Sequence, residues 1–511
     1  MTTGAIGGAA PASAVLTKDV LAAGSGVAFA FGVGAFTGIA AGLTMPRGPV
    51  TNGQALALLL GCLVAGAVAG WAARARWAIL LVPAVHILAF ELVRIGASGP
   101  TVDLPRLDSA FGVLAFLVGR GVYAAQALAP LAVGAWLGVG LAKRAAGAPV
   151  SLLPPVLMAL PLLAVAVCLL VPARTPPVLG ADGRPVPGGI AELTTVKLGG
   201  VDQAIMVRAH SADAPVLLYL SGGPGQSDLP YSRLLFDGLT KHFVVVGWDQ
   251  RGTGKSYAAF EPLSDLTLER AVGDVIELAE HLRARFGEEK VYLLGESWGS
   301  TLGVLAAQRR PDLFHAFIGS GQMVSQSLTD RIIWRDLLAY AERNGDWRLY
   351  DRVLTLGEPP YDDVPWSNAF VMASYWRLEP PYTPPASYRE RGAAANLGFY
   401  GVMGSEYSLI EKVNVLRGLV DVFWALYPQL QGLDLRRDAP TLDVPVYLLD
   451  GLGELSARRD LALEWFDGLQ APLKRVFTYA NAGHSVAFEQ FEALERVLLD
   501  TVLPETYALG E

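Results

Sequence analysis

The sequence predicts two architectures in one chain: an N-terminal α-helical membrane bundle of about five spans, then a mainly parallel α/β domain with a helical lid. Three observations predict this. Only 17% of residues are charged, against about 25% in ordinary soluble domains, and the deficit is concentrated between about Val20 and Val171. From about Ile190 onward, short apolar runs alternate with amphipathic stretches, the signature of buried strands and covering helices. Finally, the pattern G-x-S-x-G at Gly295-Glu296-Ser297-Trp298-Gly299 lies between an apolar run, Val291–Leu294, and a helical stretch, Thr301–Ala307.

A bilayer core takes about 20 apolar helical residues. Val20–Leu43, Gln54–Ala73, Trp77–Ile95 and Ser151–Val171 satisfy this. Ala110–Leu141 is too long for one upright span and too short for two. Arg120 and Pro130 interrupt it, so one tilted span beginning near Gly119, after a short interfacial piece, is expected. The first span follows a small-residue leader and Lys18, without a convincing cleavage site, and is expected to remain as an anchor. Lys18, Arg74, Arg76, Lys143 and Arg144 fall on one side; Arg47, Arg94, Arg106 and Arg174 fall on the other. The positive-inside rule puts the first group in the cytoplasm. The expected location is a bacterial-type plasma membrane, with the globular part extracytoplasmic. A sixth span would reverse that side.

His86, Glu91, Arg94 and Arg120 interrupt the apolar runs. They read either as a buried polar site or as a Glu91–Arg94 pair at the surface with a snorkelling Arg120; the second reading is preferred. Gly61, Ala65, Gly66, Ala69 and Gly70 predict close helix packing.

The domain boundaries follow. Residues 1–172 form the bundle. The Pro/Gly-rich stretch 173–190 is a linker. Residues 191–324 form the first part of the α/β core, 325–438 the lid and 439–511 the second part. Leu193–Leu198 and Gln203–Arg208 read as a leading antiparallel pair. Val216–Leu220, Phe243–Gly247, Val291–Leu294, Ala316–Gly319, Val444–Leu449 and Arg475–Tyr479 read as further strands, and Leu266–Phe286 as an amphipathic helix. The lid's Trp334, Tyr340, Trp347, Tyr375, Trp376, Tyr400 and Trp424 either line a pocket or form the lid's own core; individually the second is preferred.

A net charge of −8 without basic runs gives no reason to expect nucleic acid. Cys62 and Cys168 lie in apolar spans, and no metal-ligand spacing or cofactor motif is present. No cofactor and no metal are therefore expected.

Strand, tight turn at a serine, then helix is the context of a nucleophile elbow. Ser297 needs a base, and a carboxylate to orient that base. His210, His242, His281 and His315 lie beside early strands or on helices, while His484 lies in a loop after the last strand. That loop position suits the base. Asp450 and Glu454 follow the strand before it; Glu454, deeper in its loop, is preferred as the acid. The oxyanion donors are the N–H groups of Trp298 and, in the loop Ser221–Gly225, of Gly223.

Four motifs carry a resemblance. Ser221-Gly222-Gly223-Pro224-Gly225, Asp249-Gln250-Arg251-Gly252-Thr253-Gly254-Lys255-Ser256, Gly295–Ser300 and Gly483-His484-Ser485 resemble those of the proline iminopeptidase branch of the α/β-hydrolase superfamily. The resemblance runs from about Ile190 to the C-terminus and excludes most of the lid. It implies an α/β-hydrolase domain, an acyl-enzyme mechanism and peptide substrates. Glu454 stands where that family has Asp. Ser221 replaces its usual histidine, and the lid lacks its Trp-x-x-Trp-Glu segment for a substrate's amine. The expected function is a membrane-anchored serine hydrolase acting on a small peptide, amide or ester, with the lipid bilayer as its other partner. A lipid or membrane-borne ester is the alternative substrate. A transporter or sensor bundle carrying an inactive hydrolase-like domain is the alternative of another class.

Overall fold

The computed structural model describes residues 12–507, and the side chains of residues 12–23, Lys18 among them, and of Tyr400 lie outside the described ones. The small-residue leader before residue 12 is likewise outside. Compactness divides the chain into two units: residues 1–98 with 116–171, and residues 99–115 with 172–511. Residues 99–115, which the sequence places in the apolar region, therefore group with the globular unit.

The apolar unit is built from α1 (Ala12–Thr44), α2 (Asn52–Ala73), α3 (Ala78–Val93), most of α4 (Ala110–Ala145) and α5 (Leu153–Leu169). Gly24–Thr44, Asn52–Ala73 and Ala110–Ala145 are long and apolar enough to cross a membrane; α3 and α5 are shorter apolar helices. Small residues set the approach of α2 to α4. A Cβ on Gly66, Gly70, Gly134 or Gly138 would lie 2.0–2.2 Å from a carbonyl oxygen of the facing helix. The expected break before Gly119 is absent, because 110–145 is one continuous helix. It contains two widened π turns, Leu117–Gly121 and Ala124–Leu128. The second ends just before Pro130, where a wider turn accommodates a ring that clashes with a regular preceding turn. Arg94 pairs with Glu91 at 2.5 Å, and Arg120 reaches the same carboxylate at 3.3 Å. His86 is fully buried between Thr37 (2.9 Å) and Tyr123 (2.7 Å).

The globular unit is an eight-stranded sheet: β1 (Ile190–Leu198), β2 (Val201–Ala209), β3 (Val216–Leu220), β4 (Val244–Trp248), β5 (Val291–Glu296), β6 (Phe314–Ser320), β7 (Val446–Gly451) and β8 (Lys474–Tyr479). The spatial order is β1-β2-β4-β3-β5-β6-β7-β8. The β1–β2 and β2–β4 pairings are antiparallel and the rest parallel, with Leu218 opposite Val246 on one side and Leu293 on the other. Strands β3, β4 and β5 are wholly buried, which is why they read as unbroken apolar runs. One core lies on each sheet face. Val272, Leu278 and Leu302 contribute to the first, from α6 (Leu268–Phe286) and α7 (Trp298–Arg309); Phe236, Phe488 and Leu494 contribute to the second.

Between β6 and β7 the chain leaves the sheet to form the helical lid: α8 (Gln326–Asn344), α9 (Trp347–Leu356), α10 (Val364–Met372), α11 (Ala386–Ala395) and α12 (Leu409–Leu426), with shorter turns. After β7, α13 (Ser456–Gly468) returns over the sheet.

Candidate active site

Ser297 is the residue between β5 and α7, with φ 52° and ψ −119°. This is a strained conformation for a residue with a side chain. The turn leaves no room beside it. A Cβ on Gly299 would lie 2.0 Å from the Leu220 carbonyl oxygen, and one on Gly295 2.5 Å from that of Gly299. The two motif glycines are therefore required by close approach of strand, turn and helix.

Ser297 and His484 line the same cavity, of about 130 Å³, together with Gly223, Trp298 and lid residues of α8, α10 and α12. His484 follows β8 in the loop at the sheet's carboxyl end. Its Nδ1 meets the Glu454 carboxylate. Glu454 is buried, accepts from the Leu455 N–H at 2.8 Å and pairs with Arg458 at 3.3 Å. Burial acts to raise this carboxyl, but His484 and Arg458 outweigh it and hold it at about 2. Asp450, the other sequence candidate, is turned elsewhere. It takes a two-pronged bond from Arg459 (2.8 and 2.7 Å) and one from Thr478 (3.0 Å). The remaining histidines of the globular unit are absent from the cavity lining. His315, for instance, stacks on Tyr292, and burial lowers it to about 4.

The loop after β3 brings Gly223 to the cavity. Gly223 has φ +114°, and a Cβ there would lie 2.5 Å from the Gly225 nitrogen. Ser221, in place of the family's histidine, donates to the Gln226 carbonyl at 3.2 Å. Gln250 donates to the Ser221 carbonyl (3.0 Å) and accepts from the Trp298 indole (2.9 Å). One amide thus ties the loop after β3 to the first residue of α7. The rest of the Asp249–Ser256 motif is structural. Asp249 accepts from the Lys255 N–H (2.8 Å) and Tyr407 (3.0 Å), and Arg251 clamps Asp274 at 2.8 and 2.9 Å.

Arg458, four residues beyond Glu454 on α13, and Asp330 on α8 carry no signature in the sequence. Asp330 lines the cavity and is buried. It accepts from Tyr427 (2.8 Å), Asn368 (2.8 Å) and Gln431 (3.2 Å), and burial raises its carboxyl. Of the lid aromatics named from sequence, Tyr375 lines the cavity, whereas Trp334 and Tyr340 pack in the lid's own core. Trp347 and Trp376 are exposed.

A family profile described as the alpha/beta hydrolase fold matches residues 215–359. A "probable aminopeptidase", YbaC of Bacillus subtilis, is 28% identical over 301 residues, covering 59% of this chain and 93% of that protein. The globular part is thus similar to α/β hydrolases of the proline iminopeptidase-like branch. A proline iminopeptidase of Arabidopsis thaliana is 32% identical over 117 residues, which are 23% of this chain and 29% of that enzyme. Among solved structures, a proline iminopeptidase of Mycobacterium smegmatis aligns with TM-score 0.44 and 18% identity, over 62% of this chain and all of that one (100%).

Proposed function

We propose that this α/β hydrolase is a membrane-anchored serine hydrolase that cleaves small amides through an acyl-enzyme, with peptides bearing a free amine as its leading substrates. The observation that carries the reading is the His484–Glu454 contact beside a cavity shared with Ser297. A carboxylate held at about 2 is ionised throughout the neutral range. It fixes a proton on His484 Nδ1, leaving Nε2 as the base. Nε2 takes the proton of the Ser297 hydroxyl as Oγ bonds to the substrate carbonyl carbon. The carbonyl oxygen becomes an oxyanion facing the N–H groups of Gly223 and Trp298. His484 then returns the proton to the leaving amine as the C–N bond breaks. Water repeats the cycle and frees the acid.

The cavity wall favours an amine over a lipid chain. Besides Asp330, it presents Gln326 Oε1 and Asn368 Oδ1, buried oxygens without a hydrogen-bond partner among the described residues. A protonated amine supplies donors to such a set. The relatives named as a probable aminopeptidase and a proline iminopeptidase point the same way.

The membrane reading rests on the apolar helices and their flanking charges. Residues 99–115 and the segment from 172 onward belong to one unit, and α4 and α5 run between them. Two crossings, by α4 and α5, would keep both segments on one side, as the five-span reading requires. Arg74, Arg76, Lys143 and Arg144 then face the cytoplasm and the hydrolase unit faces outward.

The test is turnover by the detergent-solubilised chain of alanine and proline arylamides against p-nitrophenyl acyl esters. The proposal expects arylamide hydrolysis, lost when the substrate's amine is acetylated. Preference for long-chain esters, indifferent to an amine, would establish the lipid-ester reading instead.

A further inference from the structure

The segment 99–115 is joined in sequence to apolar helices, yet it holds two of the three lid helices that wall the cavity. Thr101 donates from its hydroxyl (2.7 Å) and its N–H (3.2 Å) to Asp421 on α12. Asp421 is fully buried and also accepts from Tyr257 at 2.6 Å. Arg106 pairs with Asp363, the residue before α10, and lies 4.6 Å over the ring of Trp366 on that helix. Phe111 then reaches both helices: its ring meets Trp366 edge-on at 5.0 Å and Phe423 of α12 at 6.2 Å. Gly112 is closed in, because a Cβ there would lie 1.7 Å from the Arg106 carbonyl oxygen and 3.2 Å from the Trp366 ring.

These contacts converge on the substrate cavity. Helix α10 contributes Asn368, Val371 and Met372 to its lining, and α12 contributes Leu419 and Phe423. The segment touches Phe423 directly and Asn368 through the helix that carries it. We propose that residues 99–115 are a strap that sets the spacing of α10 and α12, with Phe111 as the positioning residue. The strap acts on binding geometry and leaves Ser297, His484 and Glu454 untouched. The effect on substrate fit rests on the proposed hydrolase reading; the hold on α10 does not.

The experiment uses the full chain in detergent and the variants Phe111→Ala, Phe111→Leu and Arg106→Ala. Two readouts are taken: steady-state kinetics with a bulky peptide arylamide and with p-nitrophenyl acetate, and hydrogen exchange of residues 364–372. Phe111→Ala is expected to raise KM for the bulky substrate about fivefold, the scale of a lost aromatic pair. Its kcat on the small ester stays within about twofold, while exchange of 364–372 accelerates about tenfold. Phe111→Leu restores most of both, because it refills the gap. The proposal falls if KM and exchange stay at wild-type values, if only one of them moves, or if kcat falls equally on both substrates. Should Phe111→Ala not fold, Arg106→Ala decides, since that side chain is half exposed; it must move both readouts in the same direction. If wild type turns over neither substrate, the hydrolase reading fails and exchange alone decides the strap.

Discussion

Glu454→Gln keeps the size of the side chain and removes its charge. The carboxyl is held at about 2 against an ordinary 4.5. At about 1.36 kcal/mol for each tenfold change in proton affinity, its ionised form is stabilised by about 3 kcal/mol on folding. Because the folded value is depressed, this stability is full above pH 4.5 and is lost as pH falls through about 2. Arg458, itself only 8% exposed, loses its carboxylate partner in the variant, which adds the cost of a buried cation left without its counter-charge. At pH 7 the variant should unfold about 5 °C below wild type. Its deficit should shrink as pH falls toward 2, because wild type then loses the same charge. Activity should fall about 10³–10⁴-fold, since the imidazole is no longer held in one tautomer. Ser297→Ala is the control, expected to be as inactive while unfolding within about 1 °C of wild type. Thermal unfolding followed by tryptophan fluorescence, paired with arylamide turnover, measures both. Equal melting of all three proteins at pH 7, or activity of Glu454→Gln within tenfold of wild type, would refute the reasoning.

Four further outcomes follow from the same geometry. Asp450→Asn should keep kcat/KM within about threefold, because its carboxylate serves Arg459 and Thr478; steady-state assay decides between the two loop acids. Asp330→Asn should raise KM for free-amine substrates about 10–100-fold, the range of one charge-assisted bond, and leave N-acetylated substrates unaffected. Gly299→Ala should prevent stable folding, since a methyl group 2.0 Å from a backbone oxygen cannot be relieved by a side-chain rotation. Gly468→Ala, with nothing within 4 Å, should melt as wild type does.

Much of this was legible from particular residues. The buried strands were readable because parallel strands covered on both faces become unbroken apolar runs, as in Val216–Leu220. Their ends shifted by up to about three residues, as terminal boundaries do; β7, for example, begins at Val446 rather than Val444. His484 stood out because it alone followed the last strand in a loop. The choice between Asp450 and Glu454 was harder. Each has an arginine nearby in sequence, and only the fold shows that Arg459 occupies the first while Glu454 turns to His484. Arg458 and Asp330 carried no motif, since their roles come from burial beside a cavity. The continuous helix through Pro130 was hidden because its π turns have no clear sequence signature. The strap was the least readable feature. Phe111 opens an apolar run and looks like a span residue, and the bond from Thr101 to Asp421 bridges 320 residues. No local pattern reports a contact at that separation.

The most direct test of the central claim is covalent trapping at Ser297. The full chain is treated with a fluorophosphonate, digested, and read by mass spectrometry. One phosphonylated peptide containing Ser297 is expected, absent from Ser297→Ala and strongly reduced in His484→Ala. An unlabelled wild type, or a label that persists unchanged in Ser297→Ala, contradicts that claim.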